Sequence, residues 1–395
     1  MKRYDEYKDS GVEWIGEVPR HWEIVPLKRA ITINNGCDYK HVQVEEDGYP
    51  VIGSGGQFAW ARQYMYDGEA VLLGRKGTID KPMYYNGKFW TVDTMFYGIP
   101  KKNANCKYLY YIAKNIPFER YATATALPSM TQTDLNNNTI CLPPLDEQSF
   151  IANYLDKKCS EIDNVISAQQ KRIALLQELK QSVITHAVTK GLNPNVEMKD
   201  SGVEWIGMTP IAWKYCRFKD FLKLRTEASE SLTKIGLENI ESKSGKFIET
   251  GTEFEGNGVA FSTRNIVYGK LRPYLQKVWL AEFDGNAVGD FFVFETKKNA
   301  IPTFIKYLML SDGFTKEADG STVGAKMPRV SSSFILTMHY CLPSIEEQQT
   351  IVEYLTKRCA SLDIALTKAQ HQVELLQEYK QSLITEVVTG KRKVS

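Results

Sequence analysis

The sequence repeats itself, and no other feature constrains its fold as strongly. Residues 8–16 read KDSGVEWIG, and residues 199–207 read the same nine letters again. Each copy runs on to a proline (Pro19, Pro210) and then a tryptophan (Trp22, Trp213). A second pair of segments begins CLPPLDEQSFIANYLDKKC at Cys141 and CLPSIEEQQTIVEYLTKRC at Cys341. It continues through LLQELKQSVITHAVT and LLQEYKQSLITEVVT, with about half of the aligned positions identical. A period of about 190 to 200 residues is far too long for a solenoid, so whole modules are duplicated. Between the shared segments, residues 23–140 and 214–340 have almost nothing in common. Constant frames around unlike interiors predict one scaffold carrying two separate specificities.

The second shared segment reads as a long helix. Leu155, Ile162, Ile166, Ile173, Leu176, Leu179 and Val183 recur at steps of three, four and seven, with Gln169 at the interruption. The other copy gives Leu355, Leu362, Leu366, Ala369, Val373, Leu376, Tyr379 and Leu383. No proline or glycine interrupts residues 146–189 or 346–389. Ser344 and Glu347 have capping-box spacing, Pro143 and Pro144 block backward extension of the first helix, and Gly191 and Gly390 supply the stops. Helices of some 44 residues would be roughly 65 Å long, and a single narrow apolar stripe requires a partner. The partner expected is the other copy; packing of each helix on its own domain is the alternative.

The interiors read as mixed and β-rich. Strand-prone runs fall at residues 70–73, 89–91, 95–99, 277–280 and 291–294, with short helices near 107–114 and 302–311.

Composition excludes more than it suggests. Lys plus Arg number 49 against 47 Asp plus Glu, a net charge of +2, so bulk charge gives no sign of nucleic-acid binding. No apolar run approaches the roughly 18 to 20 residues that span a bilayer, and MKRYDEYKDSGVEW lacks the apolar region of a secretory signal. Seven cysteines form no C-x-x-C pair and read as small apolar residues in a reducing cytoplasm. GSGG at residues 53–56 lacks the Lys-Ser/Thr of a P-loop, GRKGT at 74–78 lacks its upstream glycine, and no N-P-P-Y/F motif occurs. His21, His186 and His339 are scattered, and the acid–x–Lys triplet of Glu178 and Lys180 lies on a helix surface. These residues offer neither a catalytic group nor a metal site.

Local clusters remain. Residues 60–120 carry ten basic and five acidic side chains, interleaved with aromatics. The candidates for base or phosphate contact are Gln57, Arg62, Arg75, Lys76, Thr78, Lys81, Tyr84 and Trp90 in the first interior. In the second they are Arg264, Tyr268, Lys270, Arg272, Tyr274, Lys277, Lys326 and Arg329. Arg and Lys can pair with guanine or phosphate, and Gln with adenine; an ordinary solvated face is the alternative.

Taken together, these residues resemble the specificity subunit of type I restriction–modification enzymes, over essentially the whole chain. The resemblance is carried by G-V-E-W-I-G-x-x-P-x-x-W in each half and by L-P-P-L-D-E-Q and L-P-S-I-E-E-Q before the long helices. LLGRKGTIDKP (72–82), TVDTMFY (91–97), GKLRPYLQKVWLAEFDG (269–285) and KMPRVS (326–331) add to it. It implies an α+β chain: two mixed α/β target-recognition domains joined by two long antiparallel helices, an intramolecular coiled coil with a pseudo-two-fold axis. The layout expected is 1–144 first domain, 145–190 first spacer helix, 191–198 linker, 199–344 second domain, 345–390 second spacer helix and 391–395 tail. Each domain would read one half of a split site in double-stranded DNA. The helices would fix the gap and dock two methyltransferase subunits, which carry S-adenosylmethionine and methylate adenine N6. Restriction subunits using ATP and Mg would complete the assembly. The chain itself would be a cytoplasmic, non-catalytic DNA-binding subunit with no cofactor and no membrane contact. A self-sufficient methyltransferase or nuclease, and a non-DNA scaffold or adhesin, are the competing classes.

Pseudo-symmetry makes the 191–198 junction recur at the termini, with the tail near Lys8. A circular permutant joining Ser395 to Met1 and opened near Asn193 should therefore keep DNA recognition. Failure of that permutant to fold or bind would count against the symmetric arrangement.

Overall fold

The computed structural model describes residues 2–120, 128–228, 233–324 and 326–394. It divides into two compact units: residues up to Gln169 with those from Gln372 onward, and Gln170–His371. Ser395 and Met1, named in the permutant, lie outside the described residues.

In the first unit a seven-stranded sheet runs in the order Ile31–Asn35, Met95–Pro100, Tyr66–Gly74, Met83–Thr91, Tyr49–Gly53, Gly56–Ala61, Gln43–Val44. The second unit has a four-stranded sheet, Leu222–Arg225, Phe291–Thr296, Ile266–Gly269, Val278–Leu280. Beside it a three-stranded sheet orders Lys234–Ile235, Gly285–Val288 and Gly258–Phe261. The four strands of the second unit repeat the order of the first four in the seven-stranded sheet, antiparallel throughout. The interiors thus share a sheet that their sequences do not reveal. In both, a two-stranded clasp closes the interior and delivers the chain to a long helix: Glu23–Pro26 with Thr139–Leu142, and Lys214–Arg217 with His339–Leu342.

The long helices are Leu145–Lys190 and Ile345–Val388. Their first turns explain the repeated E-Q. Gln148 is fully buried; its amide nitrogen donates to Pro143 O (2.8 Å) and Asn103 O (3.0 Å), and its oxygen accepts from Asn105 N (2.9 Å). Gln348 does the same with Pro343 O (3.0 Å), Asn299 O (3.0 Å) and Ile301 N (2.8 Å). Each glutamine fastens its helix to the approach of a short helix, Cys106–Ala113 or Pro302–Met309. The capping box at the second helix is half built: Glu347 N donates to Ser344 Oγ (3.3 Å), but the Glu347 carboxylate instead accepts from Trp213 Nε1 (2.9 Å).

The helix ends are equally paired. Gly191 and Gly390 adopt the left-handed region (φ +75° and +73°), as a helix-terminating glycine does. A Cβ on Gly390 would lie 2.2 Å from Pro19 and 3.2 Å from Trp22, so the end of the second helix sits on the P-x-x-W of the first copy. Gly191 sits likewise beside Trp213 and Pro210. Two buried tyrosines from unlike interiors cap the same place: Tyr108 Oη donates to Val388 O (3.4 Å) and Tyr340 Oη to Val188 O. At the tail, Lys393 N donates to Lys2 O (3.0 Å) and Tyr7 Oη to Gly390 O (3.1 Å).

Within each unit the two helices pack antiparallel. In the first, Ile162 and Ile166 share a core with Leu383, Ile384, Val387 and Val388. In the second, Ile184, Ala187 and Val188 share one with Ile351, Leu355 and Cys359. Leu179 and Tyr379, placed in the seam from sequence, turn outward (40% and 51% exposed). The stripe follows the 3.6-residue period from Leu176 to position 180 and then Ile184. Lys180 fills that position and pairs with Asp363 (2.6 Å), as Lys380 pairs with Asp163 (2.6 Å).

Gln348→Leu should leave Ile301 N–H and two carbonyls without their buried partner. The expected loss is about 2–4 kcal/mol, visible as a lower urea midpoint at unchanged slope.

Candidate nucleic-acid interface

In both units the third strand of the shared sheet order ends on glycine, Gly74 or Gly269, and the chain leaves it into a basic loop. In the first unit Arg75 N and Lys76 N donate to Thr94 O (2.8 and 3.2 Å), and the Arg75 guanidinium donates to Asp93 O (3.3 Å) while lying 5.7 Å from the Phe96 ring centre. Two further bonds dock the loop on the segment ahead of the helix Gln132–Asn137: Met130 N to Arg75 O (3.0 Å) and Gly77 N to Pro128 O (2.9 Å). The second unit repeats the scheme. Lys270 N donates to Asp290 O (2.9 Å), Val330 N to Lys270 O (3.1 Å) and Arg272 N to Pro328 O (2.9 Å), ahead of the helix Ser332–Thr337. Two loops without sequence similarity are therefore held at the same place by equivalent backbone bonds. LLGRKGTIDKP meets TVDTMFY, and GKLRPYLQK meets KMPRVS.

The loops present different chemistry. In the first, Lys76 and Lys81 are exposed and Thr78 is half-buried. In the second, Arg272, Tyr274 and Lys326 are exposed, beside Met327 and Val323, two exposed apolar side chains that charge-based reading passed over. Arg329 grips Asp290 with both arms, Nε to Oδ1 at 3.1 Å and Nη2 to Oδ2 at 2.9 Å, and Lys270 stands 3.7 Å from the same carboxylate. The Arg329 hydrogen bonds, joined by its charge and that of Lys270, hold the Asp290 carboxyl below the usual range.

Other sequence candidates lie apart from these loops. Arg62 precedes the nine-residue strand that Arg75 follows, and donates to His41 O (3.2 Å). Gln57 is exposed on Gly56–Ala61 with Phe58 and Trp60, and Lys88 lies over Tyr64 (4.9 Å) and Tyr49 (5.7 Å). Arg264 sits before Ile266–Gly269, at the end opposite Lys270. Four candidates are occupied internally. Trp90 is buried with Nε1 on Cys37 O (3.0 Å), Tyr84 donates to Glu69, Tyr268 is buried in the core, and Lys277 Nζ donates to Leu237 O and Ile240 O (2.7 Å each). The continuous apolar run at Ile266, Val267 and Tyr268 is the sequence signal for the burial of Tyr268.

Two modules thus share one framework, and each carries its own docked basic loop. Residues 19–175 match the family model described as the type I restriction modification DNA specificity domain. The EcoDI type I restriction enzyme specificity subunit of Escherichia coli is 23% identical, over 95% of this chain and 89% of its own. The MjaVIII specificity subunit of Methanocaldococcus jannaschii is 24% identical, over 82% of this chain and 76% of its own. A chain from a structure describing complex assembly and conformational transition of the type I R-M system superposes with a TM-score of 0.69 at 12% identity, covering 94% of this chain and 98% of that one. The HsdS subunit from Thermoanaerobacter tengcongensis gives 0.50 at 13% identity, covering 95% and 98%. The chain is thus similar, over nearly its whole length, to type I restriction specificity subunits. Among the described residues, no helix is long and apolar enough to cross a membrane.

Asp290 supplies a pH signature. Its folded-state pKa is depressed, so its contribution is present above the unfolded carboxyl range, near 3.9, and is lost as pH falls through the lower folded value. The stability gap between the native chain and Arg329→Ala should therefore be full above about pH 5 and shrink below about pH 4. Urea midpoints across that range check it; a gap that widens in acid would contradict the assignment.

Proposed function

We propose that this chain is the non-catalytic DNA-specificity subunit of a type I restriction–modification complex, each unit reading one half of a bipartite site in double-stranded DNA. The observation that carries this reading is the equivalent docking of two unlike basic loops on one duplicated frame. Lys76, Lys81, Arg272, Tyr274, Lys326 and Arg329 are the contact residues favoured by exposure, with Arg329 exchanging Asp290 for a phosphate or base edge. Gln57 and Arg62, beside the exposed aromatics of the first unit, form a second group of candidates.

The partners proposed are two methyltransferase subunits, which would hold S-adenosylmethionine, and restriction subunits, which would use ATP and Mg; the setting is the cytoplasm. Exposed Leu175 and Leu179 on the first long helix, and Leu375 and Tyr379 at the same repeated positions on the second, support two equivalent docking places. Residues four apart share a helix face, and paired exposed apolar groups mark association surfaces. A net charge of +2 fits weak binding by the chain alone and tight, salt-dependent binding in the complex.

The paired helices would act as the ruler between half-sites, which lie about 34 Å apart when read one DNA turn from each other. Inserting one heptad into both helices, near Gln169 and Gln370, should lengthen the gap between half-sites. The measurement is adenine methylation mapped by single-molecule sequencing in cells that also make the methyltransferase subunit. An unchanged gap in a folded variant refutes the ruler. Methylation by the purified chain alone would favour the enzyme class, and no DNA binding with no methyltransferase co-purifying would favour the scaffold class.

A further inference from the structure

We propose that Gln276 is a positioning residue for the second unit's basic loop, aiming Arg272 and Tyr274 through a hydrogen-bonded tie to the long helix at Gln181. This rests on the DNA-reading function above and extends it from the residues that touch DNA to the residue that aims them.

The loop needs holding. A single turn, Pro273–Leu275, is flanked on both sides by left-handed residues, Arg272 (φ +51°) and Gln276 (φ +50°). For a side chain with a Cβ that conformation is strained, and it persists only where surroundings enforce it. Pro273 is buried behind the turn, while Arg272 and Tyr274 face solvent.

Gln276 is the enforcing group. It is only 4% exposed, and its amide is used on both sides: Oε1 accepts from Gln181 Nε2 (2.7 Å), and Nε2 donates to Thr315 Oγ1 (2.9 Å). The Thr315 hydroxyl in turn donates to Ser311 O (2.9 Å). Its backbone is fixed as well, with N donating to Pro273 O (2.8 Å) and O accepting from Lys243 N (3.3 Å). The loop is thus tied to the first long helix, to the helix Asp312–Gly320 and to the turn at Lys243 through one residue.

The first unit does not use this tie. There the repeated glutamine, Gln381, donates to Asn115 Oδ1 (3.1 Å), just past the short helix Cys106–Ala113, rather than to the basic loop. The same framework position therefore reaches a DNA-facing loop in one half only, and its loss should be felt at one half-site only.

The test uses the assembled complex with its methyltransferase subunits. Probes are duplexes built on the motif methylated in host DNA, each with one base changed. Gln276→Gly keeps the left-handed backbone but removes the tie; Gln181→Ala removes it from the helix side with the loop sequence untouched. Arg272→Ala identifies the half-site served by this loop. Both tie variants should lower base discrimination at that half-site by about tenfold, the scale of one lost base contact, and leave the other half-site unchanged. A residue serving stability alone would lower the melting temperature and overall rate without changing discrimination. Full discrimination in folded Gln276→Gly and Gln181→Ala, with Arg272→Ala still relaxing the site, overturns the proposal. If Arg272→Ala and Arg329→Ala both leave every base requirement intact, the DNA-reading assignment of the loop falls and takes the proposal with it.

Discussion

The pairing of a helix with its own copy is the constraint on which the rest depends. Asp163 and Lys180 stand 17 residues apart on the first long helix, and Asp363 and Lys380 stand 17 apart on the second. Antiparallel pairing sets each acid against the other copy's lysine. Parallel pairing of the same copies would set Asp against Asp and Lys against Lys. One acid–lysine spacing, duplicated, thus yields two matched ion pairs and a penalty for the wrong orientation. Lys180 is only 13% exposed, so losing Asp363 would strand a largely covered charge, which is where such pairs exert most control. The pairing also brings Gly390, at the end of the second helix, to Pro19 and Trp22 of the first copy, which closes the first unit around residues remote in sequence. In the second unit Gly191 meets Pro210 and Trp213 a short way along the chain.

How much of this was legible follows from where the physics is local. The long helices, their glycine stops and the strands near residues 70–73, 89–91, 95–99 and 291–294 declare themselves through period and turn residues. Leu179 and Tyr379 misled because apolar spacing was followed where the seam carries a charged pair. The sheet order shared by the interiors was invisible: strand pairing is a long-range property, and strands such as Ile31–Asn35 and Leu222–Arg225 are short and ambiguous alone. The helices Gln132–Asn137 and Ser332–Thr337, one turn and a half each, are set by caps at Thr131 and Ser331 rather than by any stripe. Among the candidate contacts, residue type could not distinguish Lys277, folded inward onto two carbonyls, from Lys326, which faces solvent.

The frame and the loops answer different demands. Gln148 and Gln348 saturate buried backbone groups, so almost any substitution there leaves orphans, and the same residue recurs in both copies. Where the basic loops meet the chain ahead of a short helix, backbone bonds fasten them, Arg75 O and Lys270 O each accepting there. A backbone bond does not specify the side chain that rides on it. Arg-Lys-Gly can stand in one unit where Lys-Leu-Arg stands in the other, and new side chains need not disturb the fold.

That separation also gives the small net charge a mechanism on the proposed reading. Arg329 is already paired in both arms with Asp290, so part of the second loop's positive charge is neutralised before DNA arrives. A base edge that engages it must replace a bidentate carboxylate, and a mismatched base offers no net gain. The exchange adds little to affinity but raises the cost of a wrong sequence, because the specificity of a site is the difference between what it and its competitors can replace. On the same reading, affinity can come from elsewhere in the assembly, which suits a chain with 49 basic and 47 acidic side chains.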